Sequence, residues 1–393
     1  MVTRTLERDL RRAAAEYPVV TILGPRQSGK TTLARMTFPE KRYFSLEDPD
    51  TRAAAEVDPR GFLDAAPDGA ILDEVQRLPI LLSYLQGIVD SDRVRGRYIL
   101  TGSHQPELHA AIAQSLAGRT AVLTLWPFAL DELRHYGQER PTFDRIVRGC
   151  FPRVHEEGLE PRRFFNGYVQ TYVERDVRAL LQVRDLAQFQ KFMVLLAGRT
   201  GQLLNLQSLA SDVGVSAMTA RRWLSVLQAT YIVFELPPYF ANLRKRLVRS
   251  PKVYFTDVGL ASFLLGIHTG EQAARDPARG ALYENFVVTE IMKGALNRGL
   301  RPVMSFYRDH DGLEIDVLIR EGGRLVPVEI KSASTFHPGV IAPAEKFRSL
   351  AVGEVTPGFV LYDGRQSLNV RGVGVFNPLD VPDLWKTLTA APD

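Results

Sequence analysis

A glycine-rich turn set between an apolar strand and a helix constrains this chain more than any other feature. Residues Gly24 to Thr32 read GPRQSGKTT and follow the apolar run Val19–Leu23. The spacing fits G-x-x-x-x-G-K-[ST]. Gly24 and Gly29 let the backbone curl until its N–H groups point at one centre, and the helix that follows adds the partial positive charge of its N-terminus. Such a loop is built for a polyphosphate. Gly24, Pro25, Arg26, Gln27, Ser28, Gly29, Lys30, Thr31 and Thr32 are therefore the expected nucleotide contacts. Lys30 is expected to reach the β- and γ-phosphates, and the Thr31 hydroxyl to hold Mg²⁺.

A second element agrees with the first. The run ILDEVQ (Ile71–Gln76) reads as a strand that delivers Asp73 to its carboxyl end, where it orients Mg²⁺. Glu74 is then placed to polarise an attacking water, which hydrolysis requires and simple binding does not. ILTGS (Ile99–Ser103) is a further apolar strand ending in polar residues, and Thr101 or Ser103 is a candidate γ-phosphate or water contact. Transition-state charge calls for a cation, for which Arg119 and Arg175 are the candidates. Short apolar runs at 19–23, 42–46, 69–73, 98–101 and 120–125 alternate with helical segments, as in a parallel α/β sheet.

Beyond about residue 140 the pattern changes. Residues 161–200 carry aromatic, leucine and arginine side chains at helical spacing. From Leu204 to Tyr239 a short helix, a turn through Asp212–Gly214 and a second helix from Ser216 make a helix-turn-helix. The run Tyr231–Leu236 reads as the start of a winged hairpin. Thr219, Arg221 and Arg222 lie on the second helix, the one that would enter a major groove, while Trp223 and Leu224 face the core. NLRKRLVRSPK (Asn242–Lys252), with Arg244, Lys245 and Arg246, is a basic run suited to phosphates. Gly266–Gly280 reads as a linker. Strands are expected at Met304–Arg308, Glu314–Ile319 and Leu325–Ile330. Asp316 on one of them and Glu329-x-Lys331 on the next bring two carboxylates and a lysine together, with Glu284 on the preceding helix as a further carboxylate. Such a set can bind a divalent metal through oxygen. His310 and His337 read as loop residues.

Bulk composition sets looser limits. Hydrophobic residues make up 45% and charged residues 24%, the proportions of a globular protein. The net charge of +4 permits a nucleic-acid partner without demanding one. The single cysteine, Cys150, excludes an intramolecular disulfide and a cysteine-based zinc site. No uncharged apolar run approaches about 18 residues, and the charged N-terminus does not read as a signal peptide, so no membrane partner and a cytoplasmic location are expected.

Taken in order, GPRQSGKTTL, LDEVQRLP, LTGSH, SLAGRTAVLTLWPF, YVERDV, TARRWLSVLQATYIVFELPPY, KVYFTDVGLASFLL, YENFVVTEI and YRDHDGLEIDVLI…VEIKSAS resemble one family. It comprises bacterial and archaeal AAA-type P-loop ATPases with a C-terminal domain of unknown function that is similar to restriction endonucleases. The chain departs from it at RGCFP (Arg148–Pro152), where relatives tend to carry paired glycines. The resemblance implies an α/β fold with a P-loop NTPase (AAA-like) domain over 1–135, a helical extension over 136–200, a winged helix-turn-helix domain over 201–265 and a restriction endonuclease-like α/β domain over 266–393. It implies ATP with Mg²⁺ as the nucleotide, and a homo-oligomer such as a hexameric ring. With the basic run, the expected function is a DNA-dependent ATPase acting on DNA shape, such as branched DNA in repair or recombination. A nucleotide-driven switch on a protein partner and an ATP-gated metal-dependent nuclease are the alternatives.

Overall fold

The structure, a computed structural model, describes residues 2–103, 106–134, 140–173, 186–239, 250–351 and 353–390. The chain forms two compact units, one of Met1–Phe128 with Ala229–Tyr231 and Leu296–Leu300, the other of Ala129–Gln228, Ile232–Ala295 and Arg301–Asp393.

The first unit is built on five parallel strands: β1 (Val19–Gly24), β2 (Arg42–Ser45), β3 (Ala70–Asp73), β4 (Tyr98–Ser103) and β5 (Thr120–Thr124), in the order β2-β3-β4-β1-β5. Strand β1 is buried along its whole length, which explains its near-continuous apolar sequence. Its side chains alternate between two cores. Val19 and Leu23 join Leu72 and Leu100 on one face, while Val20 and Ile22 join Ile71 and Ile99 on the other. On that second face lie Leu10, Ala13 and Ala14 of helix α1 (Glu7–Glu16) and Leu33 and Ala34 of helix α2 (Lys30–Thr37). The sheet thus fixes β1, β3 and β4 side by side, with their carboxyl ends level.

In the second unit one hydrophobic cluster runs from Leu130 to Leu388, joining helical segment, helix-turn-helix and C-terminal sheet, which the sequence reading divides at 200 and 265. The helix Leu206–Val213 starts on Asn205, whose side chain accepts from Ser208 N, and ends on Gly214 in the left-handed region (φ +89°). Both Gly214 N and Val215 N then donate to Ala210 O, at 2.9 and 3.0 Å, and turn the chain into the helix Ala217–Ala229. Trp223 locks the pair by standing edge-on to Phe189 and Phe192, with ring centroids 5.5 and 5.4 Å away. Strands β6 (Val233–Leu236) and β7 (Lys252–Phe255) pair antiparallel, Leu236 opposite Lys252.

The C-terminal sheet has the order β12-β13-β11-β10-β9-β8, with β8 (Val303–Arg308), β9 (Glu314–Glu321), β10 (Arg324–Lys331), β11 (Phe359–Tyr362), β12 (Leu368–Val370) and β13 (Val373–Phe376). Strands β8 to β10 form an antiparallel meander, and β10, β11 and β13 run parallel. The helix Arg279–Leu296 buries Leu282, Phe286, Val287 and Ile291 in the same cluster as Val317, Ile319, Val328 and Ile330 of the sheet.

The expected linker Gly266–Gly280 is overturned: it contains the helix Gly270–Arg275, capped by Thr269, with Ile267 and Ala273 in the core. Gly270 lies so close to Asp144 that an added Cβ would meet its carboxylate oxygen at 2.0 Å. Among the described residues no helix is long and apolar enough to cross a membrane.

Candidate functional site

The glycine-rich loop leaves β1 at Gly24, whose φ of +155° and 2.1 Å approach of a notional Cβ to Leu125 O admit no side chain. Gly29, in the left-handed region at φ +91°, then opens helix α2. Between them Lys30 curls back into the loop, and its ammonium donates to Gly24 O at 3.2 Å and Pro25 O at 2.7 Å. Burial lowers the pKa of Lys30, while the charges of Glu74 and Asp73 oppose that shift. Ser28 Oγ is buried with no hydrogen-bond partner. A cradle closed around a buried ammonium, with an orphan hydroxyl and a helix N-terminus, fits a triphosphate. Arg4 braces the loop from outside: its guanidinium donates to Ser28 O and Trp126 O, both at 2.7 Å, and lies 4.9 Å from the centre of the Phe128 ring.

Asp73 ends β3 as the sequence predicts, and hydroxyl groups hold it. Thr31 Oγ1 donates to its Oδ1 at 2.7 Å, Thr101 Oγ1 to the same oxygen, and Tyr43 OH to Oδ2 at 2.8 Å. The Tyr43 phenol is pushed up to about 12 by its burial and then by the Asp73 charge. Tyr43 comes from β2, which pairs with β3 so that Ser45 faces Asp73, and its ring lies 4.8 Å from the Arg35 guanidinium. Thr31 and Asp73 together make the oxygen donors that Mg²⁺ favours.

Glu74 follows in the left-handed region, φ +57° and ψ +45°, a conformation that costs a non-glycine residue about 1–2 kcal/mol. The turn aims its carboxylate across the strand ends. There the Gln76 amide donates to Glu74 Oε2 and, at 2.9 Å, to Ser103 Oγ. The sequence singles out Asp73, Glu74 and Ser103; Gln76 lies in the quoted run ILDEVQ without a role assigned, and Tyr43 and Arg4 come from segments distant in sequence.

The arginine candidates fare differently. Arg119 forks onto Asp90, at 2.6 and 2.8 Å, and its carbonyl accepts from Val19 N at the start of β1. That is the opposite end of β1 from the loop, roughly 17 Å away at strand spacing, so Arg119 does not reach the site of its own subunit. Arg175 lies outside the described residues, as do Arg244, Lys245 and Arg246. On the helix Ala217–Ala229, Arg221 and Arg222 are exposed and Thr219 is half-buried, while Trp223 and Leu224 are buried, as predicted.

The C-terminal carboxylates do come together, around a cation that the sequence reading assigned elsewhere. Lys252 closes the run Asn242–Lys252 that the sequence suits to phosphates. Instead its ammonium is buried 3.0 Å from Glu284 Oε1, 2.8 Å from Glu314 Oε1 and 3.8 Å from Asp316 Oδ1. Burial alone would lower its pKa, but the carboxylates of Glu284, Asp316 and Glu314 outweigh that and raise it. Tyr254 OH donates to Glu284 Oε1 at 2.6 Å, and Ile330 N to Asp316 Oδ2 at 2.8 Å. Lys331 pairs with Glu329 and stands 3.7 Å from Asp316 Oδ2. Burial and then the Asp316 charge push the Glu329 carboxyl up to about 8. Sequence reasoning found Glu284, Asp316, Glu329 and Lys331 and missed Lys252, Glu314 and Tyr254.

A parallel sheet of this order, with a glycine-rich loop after β1 and an acidic end to β3, defines the class of P-loop nucleotide-binding proteins. Residues 16–134 match the AAA domain family, residues 140–271 a domain of unknown function (DUF8612), and residues 279–381 another (DUF4143). Uncharacterized proteins of Mycobacterium tuberculosis and Mycobacterium bovis are each 35% identical over 335 residues, covering 83% of this chain and 73% of theirs. The chain belongs to this family of AAA-type P-loop ATPases with a C-terminal domain of unknown function. Among solved structures, a Walker-type ATPase of Pyrococcus abyssi is 15% identical, covering 66% of this chain and 94% of that one at a TM-score of 0.44. RuvB of Thermotoga maritima is 17% identical, covering 60% and 90% at a TM-score of 0.32.

Proposed function

We propose that the protein hydrolyses ATP with Mg²⁺ and that DNA governs the rate. The observation that carries the reading is the convergence of Lys30, Thr31, Asp73 and Glu74 at the carboxyl ends of β1 and β3. In this reading Lys30 binds the phosphates and Thr31 and Asp73 hold Mg²⁺, which supplies charge neutralisation to the transferring phosphoryl group. Glu74 takes the proton of the attacking water. Gln76, itself anchored on Ser103, holds the Glu74 carboxylate until it is needed. Arg175, or Arg119 from a neighbouring copy in a homo-oligomer, is left to supply the further cation.

The DNA part rests on separate support: a helix-turn-helix whose second helix exposes Arg221 and Arg222, followed by an antiparallel hairpin. Contacts of this kind track phosphates and duplex shape rather than base sequence. The test is the hydrolysis rate with no DNA, single strands, duplex and a four-way junction, with Lys30→Ala as control. Stimulation by one DNA form, lost in Lys30→Ala and weakened in Arg221→Ala/Arg222→Ala, is the expected result. Hydrolysis indifferent to every DNA would overturn the DNA part and leave a nucleotide-driven switch.

A further inference from the structure

The resemblance to restriction endonucleases implies a divalent metal among Glu284, Asp316 and Glu329. The residues present do not fit one. A divalent cation of this kind needs several oxygens at about 2.0–2.6 Å around a single point, and among the described residues no group of three or more carboxylate, histidine or cysteine side chains is arranged to hold a metal. The place between the carboxylates contains an ammonium: Lys252 Nζ lies within 3.8 Å of Glu284, Glu314 and Asp316. Of the oxygens that face it, Glu284 Oε1 also accepts from Tyr254 OH, while the other oxygen of Glu314, Oε2, lies 3.4 Å from Arg308. Lys331 occupies Glu329.

We infer that Lys252 is the built-in cation of this cluster: it excludes divalent metal and fastens strand β7 of the hairpin to β9 and to the helix Arg279–Leu296. Three features support the assignment. Lys252 is only 3% exposed, so its charge has little water to offset burial and depends on the carboxylates. Its partners come from separate elements, Glu284 from the helix and Glu314 and Asp316 from β9, as a clasp requires. Its ammonium also lies 5.5 Å from the centre of the Phe306 ring on β8, a cation–π contact that adds a third element to the clasp. The same carboxylates, relieved of the lysine, would form a concentrated negative site of hard oxygen donors. Glu329 Oε2 is already buried without a hydrogen-bond partner and would be free to join them.

The experiment is titration of the nucleotide-free full-length protein with Mn²⁺ alone, reading free Mn²⁺ by electron paramagnetic resonance. The wild type is expected to show no uptake that depends on Glu284 or Asp316. Lys252→Met, which keeps the stem and removes the charge, is expected to gain one Mn²⁺ site, at least ten times tighter than any uptake in the wild type. Adding Glu284→Gln to that variant should abolish it. Lys252→Arg keeps a cation and should take up none, which still tests the role if Lys252→Met does not fold. A wild type that binds one Mn²⁺ and loses it in Asp316→Asn would overturn the inference. So would a folded Lys252→Met that binds no metal.

Discussion

The two clusters at strand ends use nearly the same side chains to opposite effect. Around the P-loop, the lysine ammonium rests on backbone carbonyls and the aspartate on neutral hydroxyls, so neither charge is cancelled by the other in direct contact. In the C-terminal cluster each lysine sits directly on carboxylates. Carbonyl and hydroxyl partners can be exchanged for a phosphate or a metal at modest cost, because the net worth of a neutral hydrogen bond is about 1 kcal/mol. A buried ion pair cannot be opened so cheaply, since either partner left alone keeps a desolvated charge. What a strand-end cluster can accept is therefore decided by what its charges already touch, not by which residues it contains.

The largest expected effect breaks the clasp. Lys252→Ala strands Glu284, Glu314 and Asp316 around an empty centre, and unfolding by urea should show a loss of about 3–5 kcal/mol, with the melting of β7 preceding that of the rest. Lys30→Ala should cost much less stability, since its partners are the neutral carbonyls of Gly24 and Pro25 rather than carboxylates. It should instead lower ATP hydrolysis by roughly 10²–10³-fold, the scale for losing one preorganised donor, in a steady-state assay at saturating Mg²⁺. Equal stability losses for the two lysines would refute the contrast.

The legible part of this molecule was the part written contiguously. The P-loop, the strand carrying Asp73 and the helix-turn-helix with its buried Trp223 are each specified by neighbouring residues, and their strands and helices fall where the sequence predicts. Tyr43 and Arg4 escaped because their contacts span 30 and 122 residues of sequence and depend on which strands lie side by side. Lys252 does not stand out for a related reason: within a basic run nothing distinguishes the residue that begins a strand opposite Leu236 from those before it. The segment 266–280 looked like a linker because a helix of only six residues shows no period, and its fixing contacts, Thr269 to Gln272 and Gly270 to Asp144, are local and steric.

A smaller effect sharpens the comparison through pH. The Glu329 carboxyl is raised from 4.5 to about 8, chiefly by burial, so the folded protein holds a proton that the unfolded chain releases. Its contribution to stability is complete below pH 4.5 and is lost as the pH rises through about 8, with a slope of at most about 1.4 kcal/mol per pH unit. Glu329→Gln cannot titrate and should flatten the dependence of the urea midpoint between pH 5 and 8 (~3 pH units, the window between the two pKa values).

The smallest expected effect is at Tyr43, whose hydroxyl holds the second oxygen of Asp73. Tyr43→Phe keeps the ring, its packing against Arg35 and the strand pairing of β2, and removes one hydrogen bond. A residue that merely packed would show no change in metal dependence. If instead the hydroxyl fixes the direction in which Asp73 points, its loss should raise the Mg²⁺ concentration needed for half-maximal ATP hydrolysis by roughly fivefold, the equivalent of about 1 kcal/mol. The maximal rate at saturating Mg²⁺ should stay close to that of the wild type, because Glu74 and Lys30 are untouched. A fall in the maximal rate with an unchanged Mg²⁺ requirement would place Tyr43 outside the metal-holding set and return the orientation of Asp73 to Thr31 and Thr101 alone.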